Sequence, residues 1–195
     1  MAKRAFGFKS ADDGSSDAQI QCIALSGNAD VLAPGDAVVL VGSTSGSGKI
    51  GTGPRCPAIA RGAATGSLWG FVSSVDQASI TPANFNRRHR PASTACYINV
   101  IPFKTFRDYI IRADAALTAE DVGENVNLAT IADANTTLGL SVMEVSASTA
   151  ATSQTAYQMT IIGIEDDGTN DITSTTPVIR VRMNNIQAVN AFAGV

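Results

Sequence analysis

The sequence predicts an all-β protein, a jelly-roll-like or related β-barrel or sandwich with long loops and an N-terminal arm. Short apolar runs rich in Val and Ile recur along the 195 residues, and β-branched side chains favour the pleated surface of a sheet. Glycine and proline separate these runs, as is typical of sandwiches and barrels. Apolar residues make up 45 % of the chain and charged residues only 16 %, so the chain has enough apolar material for a core.

The chain is predicted to begin with an arm over residues 1–16, followed by a single β domain over residues 17–195. The arm interleaves cations with aromatic side chains and ends in a run of Asp, Gly and Ser that is typical of a linker. Four of its residues are candidate contacts with the body of the protein or with a partner: Lys3, Arg4, Phe6 and Phe8.

Alternation and buried apolar runs predict eight to ten short strands. In the first half they cover residues 17–25, 37–41, 59–60, 68–72 and 95–101. Two long loops, over residues 42–57 and 76–94, separate some of these strands. In the second half the predicted strands cover residues 106–113, 126–131, 138–145, 156–164 and 178–183. Thr118 is expected to begin a single helical turn that ends at Gly123, and the acidic run 165–170 is expected to form a turn.

Charge is distributed unevenly along the chain. Residues 1–110 carry eleven Lys and Arg against seven Asp and Glu, whereas residues 111–195 carry three against ten, for a net charge of −3. Such asymmetry is typical of two faces with different partners, or of head-to-tail self-association. No apolar run approaches the roughly 20 residues of a membrane span, so we expect a protein made in the cytoplasm with no membrane contact.

The most tempting catalytic motif is the glycine-rich run after the strand at 37–41, which ends in Gly48-Lys49. A phosphate-binding P-loop requires a glycine where Ser43 stands and a Ser or Thr where Ile50 stands. The glycines and prolines that follow also disfavour the helix whose N-terminus would bind phosphate. We therefore expect a surface loop that binds no nucleotide.

Metal and acid–base motifs are equally incomplete. The acidic run 165–171 lacks the spaced ligands and closing Glu of a calcium loop. Cys22, Cys56 and Cys96 form no CxxC pair, which favours buried, reduced thiols. His89 is the only histidine, and its arginine neighbours disfavour the imidazolium that proton transfer requires. The sequence thus predicts no catalytic, cofactor-binding or metal-binding residues.

The densest charge feature is the run Arg87-Arg88-His89-Arg90 in the second long loop. Arg87, Arg88 and Arg90 are candidate contacts with an acidic protein surface, because guanidinium groups form bidentate pairs with carboxylates. A solvated loop is the alternative. Direct binding to nucleic acid is not favoured, because the chain as a whole is acidic and the run lacks interleaved aromatics.

Several segments between residues 107 and 187 resemble small structural proteins encoded beside the major capsid protein of tailed phages. The segments are 114–125, which contains Ala119-Glu120-Asp121-Val122-Gly123-Glu124-Asn125, then Thr136-Thr137-Leu138-Gly139-Leu140-Ser141 and Ser146-Ala147-Ser148-Thr149-Ala150-Ala151-Thr152, followed by the strands at 159–164 and 179–184. The resemblance implies a capsid decoration or cement protein without catalytic residues.

The expected partners are therefore the major capsid protein and further copies of the chain, as a dimer or trimer on the outer surface of the virion. The alternative of a different class is a carbohydrate- or receptor-binding β module of a phage tail or fibre, which requires exposed aromatics in a groove. An enzyme with an unfamiliar site is a third reading.

Overall fold

The structure is a computed structural model that describes residues 6–11, 17–41, 47–80, 87–151, 157–165 and 170–187. Strands dominate the described residues. In chain order they are β1 Lys9–Ser10, β2 Ile20–Ala24, β3 Ala37–Leu40, β4 Ser47–Gly48, β5 Cys56–Pro57, β6 Ile59–Arg61, β7 Gly70–Val75, β8 Cys96–Pro102, β9 Asp108–Arg112, β10 Asn125–Val126, β11 Leu128–Ala129, β12 Glu144–Val145, β13 Met159–Ile164 and β14 Val178–Met183. Single 3₁₀ turns are Gln77–Ser79, Ala119–Asp121 and Ala147–Thr149.

Two five-stranded antiparallel sheets form the body of the molecule. Sheet I has the order β1-β9-β14-β13-β10, and sheet II has the order β2-β8-β7-β3-β6. Two small hairpin-like pairs, β4–β5 and β11–β12, lie outside them. The all-β prediction and the sandwich are confirmed, whereas these strand orders do not confirm the finer jelly-roll expectation.

The main core lies between the two sheets. Sheet I contributes alternate side chains such as Tyr109, Ile161 and Val181, which are fully buried. Sheet II contributes Ala37 and Phe71, and the rings of Phe71 and Tyr109 meet edge to face with centroids 6.0 Å apart. Burial of these apolar side chains is the dominant favourable term in folding.

Sheet II also buries its other face. Val38 and Val72, each one residue beyond a main-core residue, point into a second cluster with Ile98 and Trp69. An isolated parallel bridge between Ile23 and Ala58 brings the two edges of the sheet together. Sheet II therefore curls around its own core, which is why its strands are apolar on both sides.

The second half of the chain departs most from the predicted elements. The expected strands at 126–131 and 138–145 are reduced to short pairings, β11 with β12, and the chain makes a turn at residues 136–139. The predicted helical turn is a 3₁₀ turn over Ala119–Asp121, capped as expected by Thr118. Asp121 closes the capping box, because its carboxylate accepts from the Thr118 N–H at 2.6 Å and from the Thr118 hydroxyl at 2.9 Å.

Candidate interaction surface

The four residues of the basic run face two different environments. Arg87 and Arg88 are exposed, whereas His89 is 8 % exposed and Arg90 is completely buried. Burial lowers the pKa of His89, and the charge of Arg87 lowers it further. The histidine is therefore neutral at physiological pH, in agreement with the electrostatic argument made from the sequence.

Arg90 binds backbone carbonyl groups of its own chain. Its guanidinium donates to the carbonyl oxygens of Leu25 at 2.8 Å and Asn28 at 2.7 Å, and also to that of Asp30. Its Nε donates to the carbonyl oxygen of Thr94 at 2.8 Å. The prediction that Arg90 contacts a partner is wrong, because its donors are used inside the fold and none of its surface reaches solvent.

The buried Arg90 fixes the position of the exposed pair. Its backbone N–H donates to the Leu32 carbonyl at 2.7 Å, so both the side chain and the main chain of Arg90 are hydrogen-bonded to the protein body. Arg88 in turn lies against Gly139, where an added Cβ would come within 2.4 Å of the Arg88 Cβ. Arg87 and Arg88 consequently project from a fixed point on the protein body.

The described part of the N-terminal arm packs on the domain. Phe8 is 1 % exposed and its ring lies 5.0 Å from that of Phe103, while Lys9 and Ser10 pair with β9. Of the two alternatives that the sequence left for Phe8, the body of the protein and a partner, the structure shows the first. The close approach of the arm requires glycine, because Gly7 has φ +67° and an added Cβ would lie 2.2 Å from the Gly35 carbonyl oxygen.

Phe6 is the aromatic side chain of the arm that stays partly exposed. Its ring carries the Lys9 ammonium 4.2 Å from its centroid, a cation–π contact. Phe6 also lines an open groove of about 560 Å³ with polar groups from Ser10, Asp17 and Gln19. The candidate contacts Lys3 and Arg4 lie outside the described residues.

Asp17 joins the end of the arm to the turn between β8 and β9. Its carboxylate accepts from the Ser10 hydroxyl at 2.7 Å, from the Lys104 ammonium at 3.3 Å and from Arg107. Burial alone would raise the pKa of Asp17, but the Ser10 hydroxyl and the two cations hold it below its usual value. Asp17 is therefore ionised and braces this turn.

That turn presents the most exposed apolar side chain of the described residues. Phe106, between Lys104 and Arg107, is 94 % exposed, whereas the others in that class are 37–40 % exposed. The sequence prediction placed Phe106 inside a strand, but β9 begins only at Asp108. The polar and charged residues on both sides of Phe106 are the sequence signal that could have indicated a turn.

A second buried ionisable group, Asp36, directly follows Gly35, which lines the groove. Asp36 is fully buried, its Oδ2 accepts from the Ala33 N–H at 2.8 Å, and its Oδ1 has no hydrogen-bond partner. Burial raises the pKa of Asp36 to about 6, with partial compensation from the nearby Ser141 hydroxyl and the Ala33 N–H. Asp36 supports the loop before β3 and has no access to solvent.

Residues 47–57 form the β4–β5 pair around an exposed Lys49, so no helix follows the glycine-rich run, whose residues 42–46 lie outside the described part. The three cysteines are free and buried, and burial raises the pKa of Cys22 to about 12. Asn170 bridges the strand ends at Glu165 and Val178, while 166–169 are not described.

Within the described ranges, no three His, Cys, Asp or Glu side chains are grouped in a way that could hold a metal ion. No helix there is long and apolar enough to cross a membrane. Comparison with known proteins found no matching family model, no matching curated protein and no matching solved structure.

Proposed function

We propose that this protein is a structural, non-catalytic component of a phage particle that binds the outer surface of the capsid shell and stabilises it. The observation that carries the proposal is the pair of exposed arginines, Arg87 and Arg88, next to the buried Arg90. Because the backbone at these residues is already held in place, binding a partner does not carry the entropy cost of ordering a loop. The segments resembling capsid-associated proteins support the same assignment.

The partner surface is acidic and belongs to the major capsid protein. Guanidinium groups form paired hydrogen bonds with carboxylates. They also attract an acidic surface electrostatically, and added salt screens this attraction. Nucleic acid is not the partner, because two exposed arginines supply few phosphate contacts on a chain whose net charge is −3. Attachment takes place on the assembled virion after synthesis in the host cytoplasm.

The test is co-sedimentation with capsid shells that lack this protein, at low and high salt. The variant Arg87→Glu/Arg88→Glu should fold normally, because exposed substitutions rarely change stability by more than about 0.5 kcal/mol. It should bind the shells at least tenfold more weakly than wild type at low salt, and wild-type binding should fall as salt rises.

The matched control is Lys49→Glu/Arg55→Glu, which reverses two exposed cations on the β4–β5 connection. It changes net charge equally but leaves the arginine pair intact, so its binding should stay close to that of wild type. Equal binding by the Arg87/Arg88 variant and wild type at both salt concentrations would disprove the proposed contact.

A second candidate function is carbohydrate binding, favoured by the groove beside the arm. Phe6 offers a partly exposed ring, and Asp17 and Gln19 line the same groove of about 560 Å³. Sugars stack on aromatic rings and hydrogen-bond to such polar groups. Binding of wild type to immobilised bacterial glycans, lost in Phe6→Ala, would support this reading over capsid attachment.

A further inference from the structure

The turn between β8 and β9 holds an aromatic side chain in water at a fixed position. The Arg107 N–H donates to the Lys104 carbonyl at 3.3 Å, and the Lys104 N–H donates to the Tyr109 hydroxyl oxygen at 2.8 Å. The Asp17 carboxylate forms ion pairs with both cations of the turn, Lys104 and Arg107. Phe106, at the third position of this turn, is 94 % exposed. Turns ordinarily carry polar residues there.

The charge around Phe106 is positive. Lys104 and Arg107 both pair with the carboxylate of Asp17, and these three side chains together carry +1. Asp17 is almost buried, with 5 % of its side chain exposed, whereas 53 % of the Lys104 side chain is exposed. The exposed surface of this turn is therefore a phenyl ring beside an ammonium group. We call residues 104–107 the Phe106 turn.

Most of the other exposed apolar side chains occur together at one edge of sheet I. Val122, Ile162 and Ile164 are 40 %, 37 % and 37 % exposed. The Gly123 N–H donates to the Ile161 carbonyl at 2.8 Å, which places Val122 beside Ile162 on the neighbouring strand. We call these three residues the edge patch.

The charge around the edge patch is negative. Glu120 and Glu124 flank Val122 two residues away on either side, and Glu165 follows Ile164 directly. Glu165 pairs with Arg180 at 2.6 Å, whereas neither Glu120 nor Glu124 has an ion-pair partner among the described residues. The edge patch thus combines exposed apolar area with uncompensated carboxylates, the opposite of the Phe106 turn.

We propose that the Phe106 turn of one molecule docks on the edge patch of a second copy of this chain. The apolar groups match one another, and the cation beside Phe106 matches the carboxylates beside Val122. The Phe106 turn leads into β9, whereas Ile162 and Ile164 of the edge patch lie on β13, and β14 separates these two strands in sheet I. The contact is therefore head to tail, and it closes into a ring or continues as a chain, according to the rotation between copies.

This inference is independent of capsid attachment, because it concerns purified protein alone. A phenylalanine at the centre of an interface commonly dominates its affinity, while the surrounding charges set the register. Sedimentation equilibrium should show an average mass that rises with concentration up to about 1 mM, a range that includes transient interfaces. Phe106→Glu should weaken the association at least about tenfold.

The edge patch has a closely matched control. Ile162→Lys should weaken the association to a similar extent, because it removes apolar surface and repels Lys104 of the neighbouring copy. Ile20→Lys makes the same substitution at a side chain that is 39 % exposed on sheet II, compared with 37 % for Ile162. It should leave the association unchanged. Circular dichroism establishes that each variant is folded.

Mixing the two inactive variants tests the head-to-tail geometry. Phe106→Glu retains an intact edge patch, and Ile162→Lys retains an intact Phe106 turn, so an equimolar mixture should form a dimer although each variant alone stays monomeric. A mixture that remains monomeric overturns the head-to-tail contact. A wild-type protein that is monomeric up to about 1 mM, or an unchanged association of Phe106→Glu, overturns self-association through this turn.

Discussion

A guanidinium group surrounded by carbonyl oxygens organises the long loop between β7 and β8. The Arg90 guanidinium lies among the backbone carbonyls of Leu25, Asn28, Asp30 and Thr94, and no carboxylate among the described residues forms an ion pair with it. Backbone carbonyls inside a protein require donors, and one guanidinium supplies five in a fixed plane. Arg90 thus ties the residues after β2 to those before β8.

Replacement of this group should be costly. Arg90→Gln removes a hydrogen bond from each of four partly buried carbonyls, and those of Asp30 and Thr94 keep no other donor among the described residues. At about 1–3 kcal/mol for each unpaired group, we expect the free energy of unfolding to fall by at least about 2 kcal/mol. Arg88→Gln, next to it in sequence but exposed, should change stability by less than about 0.5 kcal/mol. Urea unfolding of both variants provides the measurement. Similar, small losses in both would mean that Arg90 is not held as described.

Asp36 makes stability depend on pH in the direction opposite to most carboxylates. Its pKa of about 6 exceeds the usual 3.8, so the folded state binds this proton more tightly than the unfolded chain does. The contribution is therefore fully present below pH 4 and is lost as pH rises towards 6. A difference of about two pKa units corresponds to about 3 kcal/mol.

Asp36→Asn should remove this dependence, because an amide keeps an acceptor for the Ala33 N–H and carries no charge. We expect the variant to be more stable than wild type at pH 7 and similar to it at pH 4. The measurement is the difference between the two unfolding free energies across this range. A difference that does not vary with pH would show that Asp36 is not protonated in the folded protein.

At the scale of elements, the arm is a small additional strand of sheet I. Phe8 fills the space between Phe71 and Phe103, and the main chain before it passes over Gly35. Phe6, two residues earlier, keeps part of its ring in solvent. The two aromatic residues of the arm therefore differ in what they contribute to folding.

Truncation of each ring measures that difference. Phe8→Ala should lower the unfolding free energy by about 3–5 kcal/mol, because it leaves a cavity in the main core. Phe6→Ala should cost less than about 1 kcal/mol, since its ring is not enclosed and its cation–π contact is worth about that much at an exposed site. Thermal unfolding of the two variants is the test, and equal losses would contradict the packing of Phe8.

The sequence predicted well those strands in which apolar and polar residues alternate, because this alternation shows which side chains are buried. β14 was predicted with its observed bounds because Val181 and Arg182 alternate between core and solvent. The segment 138–145 was predicted only in part, because a strand forms at Glu144–Val145 alone, whereas the buried Met143 lies in irregular chain after the turn at 136–139. Arg90 failed for a different reason: its carbonyl partners at 25–30 are some 60 residues away in sequence, and no local pattern reveals them.

At the scale of the whole molecule, the two sheets share their main core. Phe71 of sheet II packs on Tyr109 of sheet I, and the arm adds Phe8 to the same cluster. Gln158, fully buried directly before β13, donates to the carbonyls of Ala63 and Gly66 in the connection after β6, both at 3.0 Å. Neither sheet can separate without exposing apolar surface and unpaired polar groups.

We therefore expect both sheets to unfold in one cooperative transition, because they share the main core. Trp69, the only tryptophan, reports on the core of sheet II by fluorescence, and the buried thiols of Cys22 and Cys96 report on the same sheet by their reactivity. Far-ultraviolet circular dichroism reports on both sheets together. The midpoints of these signals in urea should coincide, because a two-state transition has no populated intermediate. Loss of Trp69 fluorescence and exposure of the thiols while about half of the β signal remains would instead reveal two independently stable domains.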